Sequence, residues 1–136
     1  MMCISCASKT EVVNSRPAEN ALTVWRRRRC AGCHKVFSTR ERPDLSRSVK
    51  VKKDRKPEEP FSEDKLFLSV YRCLSHRKDA LEASRALSDT IMQLVLTDGA
   101  PDTAENQKIA VTAYHVLERF DKAGAVYYKA HHKIDY

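Results

Sequence analysis

The chain has 136 residues and a formal net charge of +7, which is room for one ordinary domain or two small ones. No run reaches the ~18 apolar residues of a membrane span, and the chain opens Met1-Met2-Cys3 where a secretory signal would carry a basic stretch and an apolar core. A soluble, cytoplasmic protein with no membrane partner is therefore expected. The charge is uneven: residues 1–57 hold 15 Lys/Arg against 5 Asp/Glu, and residues 58–136 hold 10 against 13. A basic first part suited to a polyanion is joined to a mildly acidic second part.

The first segment pairs Cys3-x-x-Cys6 with Cys30-x-x-Cys33 across 23 intervening residues. In a reducing compartment such knuckles are metal ligands before they are disulfide partners. Two of them at this separation match a tetrahedral four-thiolate zinc site, because each tight turn directs two sulfurs at one ion. Four thiolates leave the ion no open position for water, so the site is structural. His34 is expected to stay outside the completed set, and Cys73, in an apolar helical pattern, to be a small buried residue. Between the knuckles, residues 10–14 and 22–25 have strand content on either side of turn chemistry at 17–20, and residues 36–39 read as a third strand. The expected result is a zinc ribbon, a small sheet held by metal.

Four consecutive arginines, Arg26, Arg27, Arg28 and Arg29, run directly into the second knuckle. The planar guanidinium fork binds phosphate and reads guanine bidentately, so arginines on a metal-fixed strand suit duplex DNA. Alternation along a strand sends Arg26 and Arg28 one way and Arg27 and Arg29 the other. Arg16, Lys35 and Arg40 add charge to the same module, and Trp25, which could stack on a base or sugar, is expected instead to fill its core.

A turn-like connection at 43–47 leads to an alternating segment at 48–52, a turn at 54–57 and a return strand ending at Pro60, which together read as a β-hairpin. Ser62 is expected to cap a helix carrying Leu66, Val70 and Leu74, with Glu63 and Asp64 complementing its dipole. A second helix at 79–97 has Ala80, Leu87, Ile91, Leu94 and Val95 as its apolar stripe, and Asp98-Gly99 as its stop. A third is expected to start at Pro101-Asp102-Thr103, with Ile109, Ala113, Val116, Leu117 and Phe120 inward. A last short helix covers 125–132, with His131 and His132 exposed at its end. The fold class is α+β: a small β module followed by a hairpin and four helices.

The stretches "MMCISC", "TEVVNSRP", "WRRRRCAGCHKVFSTRE" and "VKVKKDRKPEEPFSEDKL" resemble the NrdR family, bacterial transcriptional repressors of ribonucleotide reductase genes that join a zinc ribbon to an ATP-cone. The resemblance covers nearly the whole chain. It implies a DNA-binding zinc ribbon at 1–42, a linker at 43–47 and a nucleotide-binding ATP-cone at 48–136. Cys3, Cys6, Cys30 and Cys33 match the zinc ligands, and Arg26, Arg27 and Arg28 match three DNA-facing arginines. Val51, Lys52, Lys53, Glu59 and Lys65 match the nucleotide site, with Tyr127 and Lys129 matching a Tyr-x-Arg pattern near its end. Trp25 stands where the family has its first arginine, Arg29 where it usually has another residue, and Asp54-Arg55 where it has Asp-Gly.

The function so implied is a zinc-dependent repressor of ribonucleotide reductase genes, responsive to ATP against dATP. Its partners would be double-stranded DNA, adenine nucleotides and further copies of itself in a nucleotide-dependent homo-oligomer. The alternative is an interaction protein whose ribbon docks on a reductase or polymerase subunit without touching DNA. A nucleotide-hydrolysing enzyme is disfavoured, because glycine stands only at positions 32, 99 and 124 and no Gly-x-x-x-x-Gly-Lys-Ser/Thr phosphate loop can be written.

Overall fold

The strand-forming segments around the two knuckles pair into one antiparallel sheet, in the order β1-β2-β3. Its strands are β1 (Thr10–Pro17), β2 (Val24–Cys30) and β3 (Val36–Glu41). The computed structural model describes residues 1–19, 22–98 and 102–134, and the chain divides into two units, Met1–Pro43 and Asp44–Tyr136. The turn expected at 17–20 closes with Ala18 N–H donating to Thr23 O at 2.8 Å, while Asn20 lies outside the described residues.

The first unit buries almost no apolar surface. Cys3, Cys30 and Thr23 are its buried side chains among the described residues. Trp25, expected as core filler, is instead 45% exposed. A three-stranded sheet with no second layer offers an indole nothing to be buried against, and small modules of this kind depend on a metal for stability.

The second unit begins with α1 (Leu45–Ser48), capped by Asp44, whose side chain accepts from Ser46 N–H. The stretch 43–47, read as a connection, thus carries a helical turn whose Leu45 is buried. β4 (Lys50–Lys53) and β5 (Lys56–Pro60) form the hairpin. The turn, expected at 54–57, is shorter: Lys53 pairs with Lys56, leaving only Asp54-Arg55 between them. Pro57, which cannot donate to a ladder, is tolerated because β5 is an edge strand and the register shifts beside it.

α2 (Glu63–Leu74) follows, and Ser62 accepts from Lys65 N–H as expected; Leu66, Val70 and Leu74 are all buried. In α3 (Ala80–Thr97) the buried stripe is Ala80, Ala83, Ser84, Ser88, Ile91, Met92 and Val95. Leu94, expected in that stripe, is 47% exposed. Small side chains in the first half of α3 carry the contact: Ser84 is fully buried and returns its hydroxyl to Ala80 O at 2.5 Å, the bond that makes a buried serine tolerable.

The helix start expected at 101–103 is wrong. Thr103–Glu105 is a strand, β6, pairing in parallel with β4 and placing Ala104 opposite Val51. The sheet order is therefore β5-β4-β6. Gly99 and Pro101, read as stop and start signals, lie outside the described residues.

α4 (Asn106–Phe120) buries Ala110, Ala113 and Leu117. Phe120, expected inward, is exposed and lies under the Arg77 guanidinium at 4.7 Å. A single extended residue, Asp121, ends α4 and caps α5 (Lys122–His131). Gly124 lies where α5 packs closely on α2: a Cβ there would stand 3.1 Å from Cys73 O. Among the described residues no helix is long and apolar enough to cross a membrane.

Candidate metal centre and nucleic-acid face

The two knuckles fold alike, because each must turn the chain sharply enough to present two sulfurs. The residue after each second cysteine, Ala7 and His34, takes a left-handed backbone with φ of 57° and 58°. Backbone donors converge on the sulfurs: Ser5 N–H reaches Cys3 Sγ at 3.4 Å, and Gly32 and Cys33 N–H reach Cys30 Sγ at 3.3 and 3.4 Å. A Cβ at Gly32 would lie 2.7 Å from Ser8 Oγ, so a side chain in the second knuckle would have to displace the Ser8 hydroxyl.

The four sulfurs of Cys3, Cys6, Cys30 and Cys33 all lie within 4.8 Å of one another. Cys3 and Cys33 are 3.7 Å apart and Cys6 and Cys30 3.4 Å apart. A tetrahedron of sulfurs at ~2.3 Å from zinc has edges of about 3.8 Å, so the donor set fits the ion in number, softness and spacing. The chemistry agrees. Ser8 pulls the Cys6 thiol down to about 6. Cys33 is pulled down by the Lys35 N–H but pushed up by Cys6, burial and the remaining thiols, ending at about 11. Thiols this crowded cannot all ionise by themselves, and a divalent cation is what allows four thiolates side by side. Cys73 is buried elsewhere, its thiol pushed up to about 11 by desolvation.

The metal cluster fixes the arginine strand, because β2 ends in Cys30 itself. Its burial alternates as the sequence predicts: Arg26 and Arg28 are half-buried, Trp25, Arg27 and Arg29 exposed. Arg26 Nε sits 2.7 Å from Glu41 Oε2, its Nη1 donates to Ser15 Oγ at 3.2 Å, and Arg28 Nε donates to Thr39 Oγ1 at 3.4 Å. On the other face, Trp25 pairs with Arg16 on β1 and Arg40 on β3, while Arg27 pairs with Asn14 and Ser38. The Arg40 guanidinium lies 5.0 Å over the Trp25 ring. Trp25 and Arg40 escaped the sequence reading as a pair. They stand equidistant from the Cys30/Lys35 backbone bond that closes the hairpin, which is the signal that counting out from the knuckle would have found.

In the second unit, Lys53 Nζ lies 2.6 Å and Lys65 Nζ 3.3 Å from the same oxygen of Glu59. Lys53 first and then Lys65 hold the Glu59 carboxyl below its ordinary range. Val51 is buried in the sheet and Lys52 exposed. Tyr127 stacks on His131 at 4.2 Å, and Lys129 Nζ lies 5.7 Å from the Tyr114 ring, contacts within α5 and to α4. His132, expected to be exposed, packs at 4.0 Å on Tyr128 and meets Ser69 Oγ at 2.9 Å.

A four-thiolate ribbon with an arginine-rich central strand, followed by an α+β unit, defines a zinc-ribbon protein. Residues 1–41 match the family model described as "Transcriptional repressor NrdR-like, N-terminal domain". The chain is 32% identical over 131 residues to the transcriptional repressor NrdR of Finegoldia magna, a match covering 93% of this chain and 83% of that protein. It belongs to the NrdR family of transcriptional repressors. Similarity to the proteins of that name from Symbiobacterium thermophilum (37% over 91 residues) and Streptococcus gordonii (40% over 96 residues) takes in 67% and 70% of this chain. Those two matches span 60% of each relative's own length.

Proposed function

We propose that the protein is a zinc-dependent, nucleotide-responsive DNA-binding repressor acting on ribonucleotide reductase genes. The observation that carries this reading is the continuity of Arg26, Arg27, Arg28 and Arg29 with Cys30 in one strand. Zinc, when bound, supplies the charge that keeps four thiolates together and so rigidifies that strand. Cys3, Cys6, Cys30 and Cys33 hold the ion. Arginines on a fixed strand lose little freedom on meeting a duplex, and they gain from phosphate and guanine together.

The nucleotide would bind at the hairpin and the start of α2. Lys53 and Lys65, gathered by Glu59, together with Lys52 and the N-terminal N–H groups of α2, form a cationic group suited to a polyphosphate. Val51, Tyr127 and Lys129 are assigned to the same pocket on the family pattern. ATP and dATP change DNA affinity only in so far as they favour different assemblies of the chain.

The test is footprinting on promoters of the host's ribonucleotide reductase genes with no nucleotide, ATP or dATP, paired with light scattering under the same conditions. Protection that differs between nucleotides, alongside a change in particle size, is expected. No protection in any condition would reject the reading. Protection and particle size identical in all three would reject its regulatory half.

A further inference from the structure

The two faces of β2 are not equivalent, and the difference selects which one meets DNA. Arg26 and Arg28 are committed: the first to Glu41 and Ser15, the second to Thr39. Withdrawing Arg26 from Glu41 to grip a phosphate would forfeit a charge-assisted bond of 2.7 Å and leave a carboxylate facing the backbone of the nucleic acid. The opposite face carries Arg16, Trp25, Arg27, Arg29 and Arg40 in cross-strand register, with Glu11 as its acidic residue opposite Arg29. Arg16, Arg27 and Arg29 make no ion pair with any described residue, and Trp25 is 45% exposed.

Resting on the reading of the ribbon as a duplex-binding module, we infer that the Trp25/Arg27/Arg29 face is the one applied to double-stranded DNA, with Trp25 as a direct contact. The Arg40 guanidinium carbon lies 5.0 Å from the Trp25 ring centroid. An indole with a guanidinium already over its ring and 45% of its surface exposed presents apolar surface to a thymine methyl or deoxyribose while the neighbouring guanidinium groups take phosphate oxygens and base edges. Charge complementarity commits this face to a polyanion. Trp25 then contributes a non-ionic contact that the surrounding arginines cannot.

The chain has one tryptophan, so its fluorescence reports on this contact alone. Full-length zinc-loaded protein would be titrated with an end-labelled duplex from a footprinted promoter, following anisotropy of the label, tryptophan emission and acrylamide quenching together. Saturation should change the emission and cut quenching at least twofold. Trp25→Ala should weaken binding by on the order of tenfold with the salt slope unchanged. Arg27→Gln/Arg29→Gln should weaken it further and lower the slope by about two. A wild-type complex seen by anisotropy with emission and quenching unchanged overturns the assignment of this face and leaves DNA binding standing. Absence of any complex at low salt overturns the functional reading beneath it.

Discussion

Lys53 Nζ and Glu59 Oε1 stand 2.6 Å apart across the β4–β5 hairpin, and Lys65 reaches the same oxygen from the first turn of α2. One carboxylate thus gathers two ammonium groups from two elements, a distribution that a bound triphosphate would share. Lys53→Ala is expected to raise the Kd for both ATP and dATP at least tenfold in calorimetric titration while leaving zinc content unchanged. Full affinity for both nucleotides in that variant would remove Lys53 from the site.

Metal should dominate the stability of the first unit, which buries only Cys3, Cys30 and Thr23 among its described residues. Zinc binding to such modules is worth roughly 10–16 kcal/mol in apparent terms. Cys30→Ser is expected to abolish stoichiometric zinc and unfold the ribbon, with amide exchange in α2, α3 and α4 close to wild type. A ribbon that stays protected after the substitution would show that its fold does not need the ion.

Asp121 joins three elements. It accepts from Gly124 N–H at 2.9 Å as the cap of α5, and Arg77 Nη1 and His76 Nε2 each lie 3.1 Å from its other oxygen. The Gly124 N–H first, then Arg77 and His76, hold the carboxyl below its ordinary value of 3.8. With the folded value depressed, this contribution is complete above the unfolded value and is lost as pH falls through the lower folded one. Asp121→Ala should cost about 1–2 kcal/mol near neutral pH, and the gap from wild type in urea unfolding should narrow below about pH 4. A gap independent of pH would mean that the carboxylate charge contributes nothing.

Arg55 takes a left-handed φ of 56° at the second position of the hairpin turn. A side chain there costs roughly 1–2 kcal/mol relative to glycine, partly offset by the extra chain entropy that glycine loses on folding. Arg55→Gly is therefore expected to stabilise the second unit by about 0.5–1 kcal/mol. A fall in thermal midpoint would indicate that the Arg55 side chain makes a contribution larger than its strain.

Local chemistry was enough for much of this protein. The Cys-x-x-Cys pairs specify their metal through spacing alone, since each knuckle closes within a few residues, and Ser62 caps α2 through a hydroxyl three residues from its donor. Strand alternation by itself separates Arg26 and Arg28 from Arg27 and Arg29. What the sequence could not supply depends on partners distant along the chain. β6 is three residues of unremarkable strand content, and it exists because β4, some fifty residues earlier, offers an unpaired edge. The buried stripe of α3 runs through Ser84 and Ser88, polar by composition but small, and leaves Leu94 outside it. Trp25 is exposed for the converse reason: hydrophobicity predicts burial only where a second layer exists to bury against, and no described residue of the first unit provides one. Lys53 and Lys65 are twelve residues apart in sequence, and their meeting at Glu59 was fixed by hairpin register and the entry of α2, geometry that only the folded chain contains.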